Sequence, residues 1–180
     1  MTKNTVKLCL LMAVLANPAS CSAWQLAGGG GLLAGLAPET AFGWQFTGQW
    51  TRETYAGWRW LVDLDVGQYG TQAAPNAWLM RGREQSLLVL WERRVPFGYA
   101  FRPWIGIGGG VSHYRFDERQ LLNGGGYAIA SYPAITRDDG DLAASMTVPL
   151  GHSWSLAITA ETGFPTRTST VSMTVLWRLF

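Results

Sequence analysis

The sequence predicts an all-β fold, an eight-stranded antiparallel up-and-down transmembrane β-barrel, and three observations carry that reading. Apolar and polar residues alternate in eight separate segments, most clearly where Val171, Met173, Val175, Trp177 and Leu179 interleave with Ser172, Thr174, Leu176 and Arg178 before Phe180. A period of two is the mark of a strand with one greasy face. Hydrophobic residues make up 48% of the 180, with 22 Gly and 10 Trp, which is rich for a soluble chain of this size. Beyond residue 23 no stretch reaches the roughly eighteen apolar residues of a spanning helix. A membrane span must therefore be built from strands, closed so that no backbone edge meets lipid.

Residues 1–23 read as a signal peptide. Lys3 and Lys7 form a positive start, Leu8 to Ala16 are apolar, and Asn17-Pro18 break the run ahead of the small residues Ala19 to Ala23. That apolar run is less than half of a spanning helix. Cleavage is expected after Ala23; lipidation of Cys21 is the alternative, disfavoured because Pro18 stands where lipoprotein signals carry Leu. Both cysteines, Cys9 and Cys21, then fall in the leader, so residues 24–180 form one domain without disulfide or thiol chemistry. A net charge of +2 without a basic run excludes nucleic acid as an expected partner.

The strands follow in order. The first spans about Trp24 to Leu36, with Leu26, Leu32, Ala34 and Leu36 on one side of a glycine run. In the second, Ala41 to Thr51, Phe42, Trp44, Phe46 and Trp50 alternate with Gly43, Gln45, Thr47 and Gln49. The third, Gly57 to Gly67, sets Trp58, Trp60, Val62 and Leu64 against Arg59, Leu61, Asp63 and Asp65. The fourth, Trp78 to Arg93, turns Leu87, Val89 and Trp91 outward and Glu84, Ser86 and Glu92 inward. In the fifth, Ala100 to Arg115, Phe101, Pro103, Ile105, Ile107 and Val111 face out while Arg102, Trp104 and several glycines face in. The sixth, Asp141 to Leu150, and the seventh, Trp154 to Gly163, keep the same alternation, and Val171 to Phe180 is the eighth.

Connections after the second, fourth and sixth segments are short, whereas the two longest, Gln68 to Ala77 and Phe116 to Gly140, follow odd-numbered ones. Long loops on one side only are what an even-stranded barrel requires. Aromatics near strand ends, among them Trp24, Trp50, Trp58, Trp78, Trp91, Trp154 and Trp177, would supply interfacial girdles.

In this architecture the chain resembles the small eight-stranded outer-membrane barrels, the group that includes the transmembrane domain of outer-membrane protein A and the X-type proteins. The resemblance implies a bacterial outer-membrane location, lipid and lipopolysaccharide as surroundings, a monomeric state and handling by the barrel-assembly machinery. That machinery reads a terminal aromatic pair, for which Trp177 and Phe180 are the candidates, one residue further apart than is usual.

Interior positions collect Arg59, Asp63, Asp65, Glu84, Glu92, Arg102, Glu161 and Arg178. Eight strands enclose little more than their own side chains, so these charges are expected to pair into a plug rather than to line a gated ion path. Ser112, His113 and Asp117 are the only grouping that resembles a nucleophile and base. Because adjacent strand residues face opposite ways, Ser112 and His113 are not expected to act together, and no catalytic role is assigned. Barrel enzymes that modify lipid A have the same size, and Pro103 to Val111 looks like the glycine-rich strand of the deacylases. Their His-x-Ser motif is missing where this chain has Ala160-Glu161-Thr162. Asp138, Asp139 and Asp141 could take a cation but lack the spacing of a calcium loop, and they read as a solvated loop. Arg81 and Arg83 suit lipid A phosphates. The expected function is a structural or surface-interaction role without cofactor or metal; a lipid A-modifying enzyme and a narrow solute channel are the alternatives.

Overall fold

The computed structural model describes residues 24–37, 41–54, 57–70, 78–79, 81–97, 102–117, 119–122, 127–165 and 169–179. The expected signal peptide, Phe101 and Phe180 lie outside them. Eleven strands are formed: β1 (Gln25–Ala37), β2 (Ala41–Glu53), β3 (Trp58–Gly70), β4 (Trp78–Leu79), β5 (Arg81–Arg94), β6 (Trp104–Phe116), β7 (Arg119–Leu122), β8 (Ala128–Tyr132), β9 (Ile135–Pro149), β10 (Trp154–Phe164) and β11 (Ser169–Arg178). Eight of them close one antiparallel barrel in the order β1-β11-β10-β9-β6-β5-β3-β2, and β4-β7-β8 form a separate sheet.

Alternation sets which face is which. Along β2, Gln45, Thr47, Gln49 and Thr51 are buried, whereas Phe42, Trp44, Phe46 and Trp50 are exposed. β11 behaves alike, with Thr170, Ser172, Thr174 and Leu176 inside and Met173, Val175 and Trp177 outside. The polar side chains thus fill the lumen and the apolar ones form the outer surface, the reverse of a water-soluble barrel. Both barrel ends are distinct. Turns β2–β3, β5–β6 and β9–β10 lie at the end holding Gln25 and Arg178 (the turn end), while the opposite loop end carries the connections that contain β4, β7 and β8.

Three expectations are corrected. The fourth segment is two strands, β4 and β5, because Trp78 and Leu79 pair with Leu121 and Gln120 of β7 rather than extending the barrel wall. The sixth begins at Ile135, not Asp141, so the acidic stretch is strand and not solvated loop; Thr136 to Asp139 pair with β6 residues Arg115 to Ser112. Pro103 is not an outward strand residue. It is buried ahead of β6, and its carbonyl accepts the Val95 N–H at 2.9 Å, which ties it to the residue that follows β5. Within the moderately apolar stretch from Tyr127 to Ile135, Ala128–Tyr132 forms β8, paired with β7.

Candidate functional site

Strand register sorts the sequence-derived candidates onto an inner and an outer surface. Inside, Arg59 and Glu92 stand directly opposite on β3 and β5, and Arg59 Nε lies 2.5 Å from Glu92 Oε2. The guanidinium also rests over the Trp104 ring, 4.4 Å from its centroid. Glu92 reaches past Gly106 to accept the Ser145 hydroxyl at 2.7 Å, two strands away. A side chain on Gly106 would collide, since its Cβ would fall 2.4 Å from Glu92 Cγ.

Further along the lumen the carboxylates are met by neutral donors instead of arginines. The Gln49 amide donates to Asp63 at 3.0 Å; the Thr47 hydroxyl and the Gln45 amide, at 3.3 Å, donate to Asp65; the Ser112 hydroxyl donates to Asp141 at 2.5 Å. Glu84 and Glu161 are buried nearer the loop end. Arg102 lies outside β6 and is exposed, and Arg178 is exposed at the turn-end mouth beside a cavity of about 60 Å³. Among the described residues the anticipated charge network is therefore realised as one ion pair. Among the described residues, Asp63, Asp65, Glu84, Glu92, Asp139, Asp141 and Glu161 share the lumen with one buried cation, Arg59.

Two apolar clusters cross this interior. Leu61, Leu88, Leu90 and Ala143 pack together at mid-height, and Leu33, Ala41 and Tyr69, with Phe116 against them, pack at the loop end. Leu88 and Leu90, which blur the alternation of β5 in the sequence, are the inward half of the first cluster.

The Ser112, His113 and Asp117 grouping is not assembled. Ser112 points inward to Asp141, His113 points outward, and Asp117 follows β6 with its N–H donating to the Arg81 carbonyl at 2.9 Å. The acidic trio is divided likewise: Asp139 and Asp141 are inside, while Asp138 is outside with His113 Nδ1 2.7 Å from its Oδ1. Among the described residues no group of three His, Cys, Asp or Glu is arranged to hold a metal.

Outside, one row of paired residues runs Gln68–Arg83–Arg115–Thr136 across β3, β5, β6 and β9. The next row toward the turn end is Val66–Gln85–His113–Asp138, and the one after it Leu64–Leu87–Val111–Gly140. Apolar exterior thus gives way to polar within two rows. Arg115, Gln85 and Gly140 were missed in the sequence. Arg115 shares the outward parity of Val111, but only the register reveals Arg83 as its neighbour. At the turn end the exterior carries stacked tryptophans, Trp58 on Trp91 at 5.3 Å and Trp154 on Trp177 at 5.5 Å between centroids, with Arg93 over Trp58 at 5.3 Å.

No protein-family model matches the sequence, and no curated protein aligns with it. Solved structures do share its fold. The attachment invasion locus protein Ail of Yersinia pestis, in complex with the heparin analogue sucrose octasulfate, superposes with a TM-score of 0.55 at 8% identity, covering 87% of this chain and 97% of Ail. Ail in a phospholipid bilayer nanodisc gives 0.50 at 8% identity, covering 87% and 100%. Neisserial surface protein A gives 0.49 at 10% identity, covering 88% and 98%. At such identity the likeness to Ail fixes architecture: this is the fold of the small eight-stranded bacterial outer-membrane β-barrels.

Proposed function

We propose that the chain spans the bacterial outer membrane as a closed, non-conducting barrel and works at the cell surface through its loop end. The exposed apolar exterior carries this reading, because Phe42, Phe46, Ile107, Leu142 and Met173 stand on the outside of a sheet whose inside is polar. In water that arrangement would leave a belt of oil exposed; in lipid it is the favourable one. The turn end, with its tryptophan stacks, faces the periplasm, and the β4-β7-β8 sheet, with Ile129 exposed on β8 and Tyr127 exposed just before it, stands outside the cell. Trp177 and Phe180 serve as the signal for barrel assembly, and Arg81 and Arg83 meet lipid A phosphates.

The two apolar clusters and the Arg59–Glu92–Trp104 arrangement support a role in contact rather than transport. A surface role has a structural counterpart in Ail, solved with a heparin analogue. The test combines membrane fractionation with a heat-modifiable gel shift and planar-bilayer recording. Outer-membrane fractionation, a shift on boiling and a flat current trace are expected; a soluble, unshifted protein overturns the membrane reading, and discrete conductance steps overturn the closed lumen.

A further inference from the structure

We infer that the outward wall of β5, β6 and β9 is a binding groove for a phosphomonoester amphiphile of the outer leaflet. Its phosphate is held between Arg83 and Arg115, and its acyl chain lies over Leu64, Leu87 and Val111. The inference rests on the membrane reading above and adds to it a defined site.

Charge is the first support. Arg83 and Arg115 are directly opposite on adjacent strands, both exposed, and among the described residues neither has a carboxylate partner. Like charges in that position destabilise a sheet. Asp138, in the adjacent row on β9, is engaged by His113. A doubly charged phosphate between two guanidiniums removes the repulsion and gains bidentate hydrogen bonds that a lysine could not reproduce.

Shape is the second. Directly below the arginines lies a cavity of about 570 Å³ whose floor is Leu64, Leu87 and Val111 and whose rim is Gln85, His113 and Asp138. Gly140 leaves the wall open there: a Cβ at that position would meet nothing within 4 Å. A pair of cations one row above a trough with an apolar floor, at the border of the oily belt, fits a headgroup joined to a hydrocarbon chain. A free anion would use the two arginines and leave the trough unfilled.

Spin-labelled phosphatidic acid, a diacyl phosphomonoester, tests this against spin-labelled phosphatidylcholine in phosphatidylcholine vesicles containing the folded protein. The motionally restricted fraction in the electron spin resonance spectrum reports occupancy. Phosphatidic acid is expected to associate about tenfold more strongly, a difference set by charge-assisted bidentate bonding. The Arg83→Gln/Arg115→Gln protein should lose that preference, and Gly140→Leu, which fills the trough, should reduce it. Arg93→Gln, at the opposite end, should leave it intact.

Equal association of the two lipids, or a preference that survives both the double substitution and Gly140→Leu, overturns the groove. Displacement of the labelled lipid by inorganic phosphate assigns the site to a free anion and also overturns it. So does tight binding of sucrose octasulfate without lipid preference, which assigns the wall to a soluble polyanion. The heat-modifiable shift, run on every variant, separates these results from a failure of the barrel itself, and Gly140→Leu decides the matter if the arginine variant does not fold.

Discussion

Glu92 is completely buried, and what surrounds it shows how this lumen tolerates charge. One oxygen takes Arg59 and the other takes Ser145, while Gly106 has no side chain so that the carboxylate can pass. Removing one partner leaves a buried charge uncompensated. Arg59→Ala is therefore expected to cost about 3–5 kcal/mol, whereas Arg59→Met with Glu92→Leu stays close to neutral; urea-induced unfolding from vesicles measures both. At this scale the sequence was half legible. Parity alone turns Arg59, Asp63, Asp65, Glu84, Glu92 and Glu161 inward, but pairing depends on register and on where strands end. Arg102 and Arg178 share the inward parity and still miss the lumen, one lying before β6 and the other at its strand's exposed tip.

Among the strands, those with an unbroken two-residue rhythm, β2 and β11, were readable almost to their ends. Those that run beyond the oily belt were not. After Ile135, β9 runs through Thr136, Arg137, Asp138 and Asp139, a composition that reads as loop, because nothing in one strand reveals that a polar interior and a polar headgroup zone await its two faces. The rhythm does predict where a charge is forbidden. Met173 sits on the exterior between Ile158 and Leu32, and Met173→Arg is expected to lose about 2–4 kcal/mol in vesicle unfolding. Orientation can be read on intact cells with a membrane-impermeant maleimide. Cysteine introduced at Ile129, exposed on the β8 side, should be labelled; cysteine at His152, in the β9–β10 turn, should react only after lysis.

Taken as one object, the molecule is a cylinder whose seam joins β1 to β11, with Ala27 beside Arg178. The glycine run Gly28 to Gly31 of β1 lies along this seam. At Gly31 a Cβ would fall 2.0 Å from the Met173 carbonyl oxygen, so β11 can approach only a bare backbone. Gly31→Val should block that approach and abolish the heat-modifiable form, while far-UV circular dichroism retains strand signal. The seam could not be foreseen from alternation, which says which way a residue points and nothing about how near the next backbone comes.

That seam also orders events in time. Its two borders are made at opposite extremes of the folded segment, so every intervening hairpin must be in hand before the last gap can zip shut. Until then two raw margins of unsatisfied amides lie open to any passing peptide.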